Sequence, residues 1–166
     1  MRGAYTRHVE CVMEEGMKKF GDGDTSYLAA GKQTGIRRLV DRFYDIMATD
    51  RRFRIIREMH AQDDTVSRDK LALFLCGWLG GPHLYRQKYG QIIIPAVHAH
   101  LDIGDSERDQ WLSCMREAIE AQPYKREFKD YLCEQLTFPA SAIRARSGAE
   151  KKTGPSFPVG STTNTQ

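Results

Sequence analysis

In TGIRRLVDRFYDIMA, residues 34–48, the apolar side chains fall at Ile36, Leu39, Val40, Phe43, Tyr44 and Met47. That spacing is i, i+3, i+4, i+7, i+8 and i+11, one continuous stripe along an α-helix, with Thr34 placed to cap its start. Three further segments carry the same period. SRDKLALFLCGWLGGP turns Leu71, Phe74, Leu75, Trp78 and Leu79 inward, with Thr65 or Ser67 as the expected cap. Gly80, Gly81 and Pro82 then form a strong stop. GDSERDQWLSCMREAIEAQP buries Trp111, Leu112, Met115, Ala118 and Ile119 behind a cap at Asp105 or Ser106, and Pro123 lies just past its end. YKREFKDYLCEQLTF aligns Phe128, Tyr131, Leu132, Gln135 and Leu136. A weaker helix is expected over residues 7–20, and the arginine-rich residues 50–58 read as a connection. The pattern predicts an all-α chain.

Residues 82–104 break the pattern. Ile92, Ile93 and Ile94 favour a strand by propensity, yet no partner strand is visible, and a lone strand has no independent stability. Pro95 can instead open a short helix, because its missing N–H would have no partner at that position anyway. His98 then lies about one turn in. His98 and His100 are two residues apart, so on a helix they point roughly 200° away from each other and cannot hold one ion together. One histidine faces inward and the other outward. Tyr44 and Trp111 are the polar-tipped aromatics of the stripes, and a buried O–H or indole N–H needs a partner. A tyrosine, a tryptophan and a histidine converging in a helical core suit either packing or a ligand site.

Size sets the remaining limits. A chain of 166 residues fits one domain. The net charge of +3 is too small to imply nucleic acid, and the longest apolar run, around Leu71–Leu79, is far short of a membrane span. The charged N-terminus is unlike a signal peptide, which points to the cytoplasm. Cys11, Cys76, Cys114 and Cys133 lack any C-x-x-C spacing and read as buried thiols. From about Ala145 the chain is polar and rich in Gly, Ser, Thr and Pro, with too little apolar surface to offset the entropy of ordering.

In order and spacing, RLVDRFYDIM, LFLCGWLGGPHLY, the YG eight residues before His98, and IGDSERDQWLSCM resemble the group II truncated hemoglobins. The resemblance spans about residues 34–136, and GWLGGP and ERDQW are its specific parts. It implies a two-on-two truncated globin fold with an N-terminal helical extension (residues 1–30), a globin domain (31–140) and a polar, disordered tail (141–166). It also implies b-type haem, with His98 as the proximal ligand of a five-coordinate iron and His100 outside the pattern. A metal-bound imidazole needs an acceptor for its other N–H.

On the distal side the resemblance assigns Tyr44, Trp111 and His60 as three donors to a dioxygen, carbon monoxide or nitric oxide ligand. Ser67 and Leu71 take the ligand-facing positions of the distal helix, and Phe74 and Tyr85 line the haem pocket. Tight hydrogen bonding then implies slow ligand release. The departures are equally specific. Relatives carry G-H-P-x-L-R-x-R-H before the proximal ligand, where this chain reads GQIIIPAVH, with Pro95 and Val97 in place of the two arginines that help hold the haem propionates. Lys88, Arg86 and Tyr85 are the candidates to replace them. Relatives' following LPF has become AHL, and the diglycine of the fold is echoed only by Gly31 and Gly35.

Two other functions compete with ligand binding. One is a haem enzyme that reduces peroxide or oxidises nitric oxide with an external reductase, Asp102 serving as the carboxylate acceptor that sharpens His98. The other is a degenerate, haem-free globin module. No nucleic-acid or membrane partner is expected, and the chain is read as a monomer or homodimer.

Overall fold

A computed structural model describes residues 19–152, with side chains through Ser147. The described residues are helical and contain no strand. The elements are α1 (Thr25–Ala29), α2 (Lys32–Thr49), a 3-10 turn (Arg51–Phe53), α3 (Arg54–Glu58), α4 (Thr65–Trp78), α5 (Leu84–Tyr89), α6 (Ile94–Val97), α7 (Asp105–Glu120) and α8 (Arg126–Lys152). α2 lies against α4, α7 against α8, and α2 crosses onto α7, which makes the two-on-two arrangement. None of these helices is long and apolar enough to cross a membrane.

The stripes read from the sequence become the core. Ile36, Leu39 and Phe43 of α2 are fully buried, as are Cys76 of α4 and Ile119 of α7, and Phe128 and Leu132 of α8 are nearly so. Cys76 and Cys114 are buried thiols and Cys133 is half-buried; Cys11 lies outside the described residues. The helix expected over residues 7–20 also lies outside them, except for its last two residues, which are not helical.

The helix ends differ from the sequence reading. α2 starts behind Gly31, whose φ of 78° is left-handed, and not at Thr34. Gly35, one turn in, is pressed on Ala30: a β-carbon there would lie 1.9 Å from the Ala30 carbonyl oxygen. α4 does end where Gly80 and Gly81 predicted. The Gly81 N–H donates to the Cys76 carbonyl (2.9 Å) and the Gly80 N–H to that of Gly77 (3.1 Å), a paired C-terminal cap. α7 is entered through Gly104, whose N–H donates to the Glu107 carboxylate at 2.8 Å, so neither Asp105 nor Ser106 is the cap.

Two segments carry more helix than expected. The arginine-rich connection winds into the 3-10 turn and α3 because Phe53 and Ile56 drop into the core. α8 runs through Pro139 to Lys152, across residues 141–152 that the composition assigned to a disordered tail. Tertiary contacts explain the extension. Ala140 and Ser147 are buried, the Arg144 guanidinium meets the Asp105 carboxylate at 3.0 Å, and α8 packs along α6.

Candidate functional site

Pro95 stands in the first turn of α6, where its ring suits the backbone and its missing N–H costs nothing. The helix is only one turn long and delivers His98 at its C-terminal boundary. His98 Nδ1 lies 2.7 Å from the carbonyl oxygen of Ile94. A carbonyl can only accept, so Nδ1 carries the proton and the lone pair of the neutral ring stays on Nε2. The acceptor that orients the ring is therefore this backbone oxygen. His98 is half-buried and His100 exposed, the inward–outward split that helical geometry required. Val97, in place of an arginine, is 46% exposed.

Tyr44 comes from the middle of α2 and is only 4% exposed. Its ring meets Phe43 edge-on at 5.2 Å between centroids and His60 at 5.6 Å. Burial pushes the phenol up to about 12, the Asp64 carboxylate adds to the rise, and the Ser67 hydroxyl, Arg68 and Arg57 oppose it. Tyr44 thus keeps its proton at any working pH and stays a donor. Trp111, half-buried on α7, lies 5.3 Å from Phe43. Phe43 separates the two polar-tipped rings and sets their spacing; in the sequence it is one apolar residue of a stripe among several.

His60 follows α3 in a loop stapled by Arg57, which donates to the carbonyls of His60 (3.4 Å), Ala61 (2.8 Å) and Gln62 (3.0 Å). His60 Nδ1–H donates to the Ile56 carbonyl at 2.7 Å. Burial lowers its pKa, with the nearby Arg57 and His98 adding to the effect. The ring is consequently neutral at pH 7, and its remaining nitrogen, Nε2, accepts. Of the three distal donors expected from the sequence, only Tyr44 and Trp111 can donate at neutral pH.

Along α4, Ser67, Leu71, Phe74 and Trp78 form one stripe, all half-buried, while Ala72, Leu75 and Cys76 are in the core. Tyr85 is half-buried on α5, its ring 5.3 Å from that of Tyr89. Lys88 is engaged by the Asp69 carboxylate at 2.8 Å, which also accepts from Arg37 (2.5 Å) and from the Tyr89 hydroxyl (2.8 Å). Arg86 is exposed.

The chain therefore offers one imidazole lone pair on α6, an apolar stripe on α4 and two protonated donors on α2 and α7. A single lone pair supplies one bond to a metal, so the metal must arrive with most of its ligands already in place. A flat, largely apolar macrocycle such as haem meets that requirement, and its ring would rest on Leu71 and Phe74.

Comparison with known proteins agrees with this chemistry. The bacterial-like globin family model matches residues 25–145. The match begins inside the segment read as an extension. Group 2 truncated hemoglobin YjbI of Bacillus subtilis (strain 168) is 29% identical over 126 residues, 76% of this chain and 92% of that protein. The group II 2-on-2 hemoglobin from the plant pathogen Agrobacterium tumefaciens is 30% identical, with a TM-score of 0.70 over 77% of this chain and 98% of its own. The truncated oxygen-avid haemoglobin from Bacillus subtilis is also 30% identical, with a TM-score of 0.65 over 71% of this chain and 97% of its own.

Proposed function

The chain belongs to the bacterial-like globin family, as a group II truncated hemoglobin, and on that premise we propose that it binds b-type haem through His98 and holds dioxygen reversibly. Carbon monoxide and nitric oxide are ligands of the same pocket. The carrying observation is the hydrogen bond from His98 Nδ1 to the Ile94 carbonyl, which leaves Nε2 as a neutral metal ligand in a fixed orientation. Bound haem supplies an iron centre with one open position for a diatomic molecule.

The chain's own residues do the rest. Tyr44 O–H and Trp111 N–H donate to a ligand that gains partial negative charge, and such bonds are stronger in a dry pocket than in water. His60 Nε2 can only accept, so His60 packs against the Tyr44 ring and does not grip the ligand directly. Ser67 leaves room at the distal helix, while Leu71 and Phe74 exclude water. A pocket with two donors on one ligand releases it slowly, in keeping with the oxygen-avid character named for the Bacillus subtilis relative.

Peroxide reduction ranks second. A backbone carbonyl is a weaker acceptor than a carboxylate and leaves His98 a weaker electron donor than a strong peroxidase needs.

The test is an absorbance spectrum with haem supplied, taken ferric, reduced, and reduced with carbon monoxide, beside His98→Ala. A stoichiometric Soret band that shifts with carbon monoxide and is lost or badly altered in the variant is the expected result. A featureless spectrum in both proteins would overturn the proposal in favour of a haem-free module.

A further inference from the structure

We propose that Arg68 is a positioning residue for Tyr44: it clamps α4 to α2 across the phenol ring and so holds the distal donor on its ligand. The proposal rests on the globin reading above.

Arg68 follows Ser67 on α4, and its guanidinium is centred 5.2 Å from the middle of the Tyr44 ring. All three of its nitrogens are used. Nη1 donates to the Asp41 carbonyl oxygen (2.9 Å), Nη2 to the Asp45 carboxylate (2.9 Å) and Nε to the Asp64 carboxylate (2.7 Å). The Asp41 carboxylate is a longer contact at 3.5 Å. Asp41 and Asp45 are one turn apart on α2 and bracket Tyr44 in the sequence. The fork therefore spans both helices at the height of the phenol.

The local sequence bends a rule to make this possible. Asp64 occupies the N-cap position of α4, where its carboxylate would ordinarily accept from the helix's first free N–H groups, yet it caps none of them. It is turned onto Arg68 instead. A forgone cap costs stability, and such local departures mark constraints set by something else.

The fork geometry matters because a guanidinium is planar and rigid, whereas an ammonium on a flexible stem could meet only some of these acceptors at once. The cation also rests against the ring's negative face, an attraction that fixes the ring's tilt. Hydrogen bonds weaken steeply with angle, so a loosened ring donates poorly even with its O–H intact. Arg68 touches no ligand itself. Its whole effect runs through Tyr44.

That claim makes a double-mutant cycle the test, run on the full-length haem protein with Arg68→Lys and Arg68→Met, each alone and with Tyr44→Phe. Two readouts apply: the rate of dioxygen release and the C–O stretching band of the carbon monoxide form, which reports distal donation and is unmoved by loss of stability alone. Arg68→Lys and Arg68→Met should each speed release, the latter about tenfold, and shift the band toward that of a pocket without a donor. In the Tyr44→Phe background neither substitution should change either readout. In the haem-free protein, denaturant unfolding of a separate cycle of Arg68→Met and Tyr44→Leu, which removes the ring as well as the hydroxyl, should show that the two side chains couple.

Arg68→Lys keeps the charge among the three aspartates and guards against a variant that fails to fold. Wild-type rates and bands in both Arg68 variants would overturn the proposal, as would equal changes in the Tyr44→Phe background. If Tyr44→Phe itself left release unchanged, the distal assignment would fail and take this proposal with it.

Discussion

Replacing Tyr44 with Phe removes one oxygen and little else, which makes it the sharpest probe of the pocket. The ring is almost wholly buried, at 4% exposure. It is held by Phe43 at 5.2 Å, by His60 at 5.6 Å and by Arg68 at 5.2 Å. A phenylalanine fills the same volume and keeps all three contacts, so the change isolates the O–H. A hydrogen bond to a charged or strongly polarised acceptor contributes ~1.5–3 kcal/mol, which corresponds to dioxygen release roughly 10- to 150-fold faster. Trp111→Phe should cost less. Its ring is half-buried, so water can partly replace the lost N–H, and the neutral range of ~0.5–1.5 kcal/mol predicts about 2- to 12-fold. Because both groups donate to one ligand, the double variant should fall short of the product of the two single effects. Stopped-flow displacement of dioxygen by excess carbon monoxide measures all four proteins. Release from Tyr44→Phe within twofold of wild type, or a larger effect from Trp111→Phe, would refute the reasoning.

Two further predictions test the frame and the histidine. Gly80 has a φ of 89°, and a β-carbon there would lie 1.8 Å from the Gly23 carbonyl oxygen, which is backbone and cannot turn away. Gly80→Ala should therefore lose about 3 kcal/mol or more and lower the melting temperature by roughly 6–12 °C in thermal circular dichroism. An unchanged midpoint would mean that the loop before α1 is not fixed against α4. His60 is half-buried and has a lowered pKa, so below about pH 6.5 the unfolded chain binds a proton that the native state resists. Stability should fall as the pH drops through that value, and His60→Phe should flatten the fall when urea midpoints are compared at pH 7.5 and 5.5. Equal slopes in the two proteins would place the imidazole in water.

Much of the fold was legible because burial and helical period coincide. The stripes through Ile36 to Met47 and through Met115 to Ile119 each name the face that ends up inside. Helix starts were less legible because they depend on contacts distant in sequence. Asp64 leaves its cap for Arg68, an interaction completed by α2. The polar composition of residues 141–152 contains no hint that Asp105 will hold Arg144. At the candidate site the sequence could nominate residues but not their protonation states. Only the Ile56 carbonyl, placed by α3, reveals that His60 accepts where it was expected to donate.

The loss of two arginines before His98 changes what must hold the haem in the proposed reading. Pro95 and Val97 can offer no charge, and Lys88 already shares Asp69 with Arg37 and Tyr89. That carboxylate is held well below the usual range by Lys88 and Arg37, so at neutral pH it stays charged and competes with any propionate for the same ammonium. What the segment retains is geometric. Pro95 fixes the turn, and the Ile94 carbonyl fixes the ring of His98. In that reading haem retention would depend on the bond from His98 and the apolar stripe of α4 more than on Lys88 at the rim. An exposed ion pair weakens with salt while a buried contact does not, so this division of labour favours a haem affinity that changes little with ionic strength.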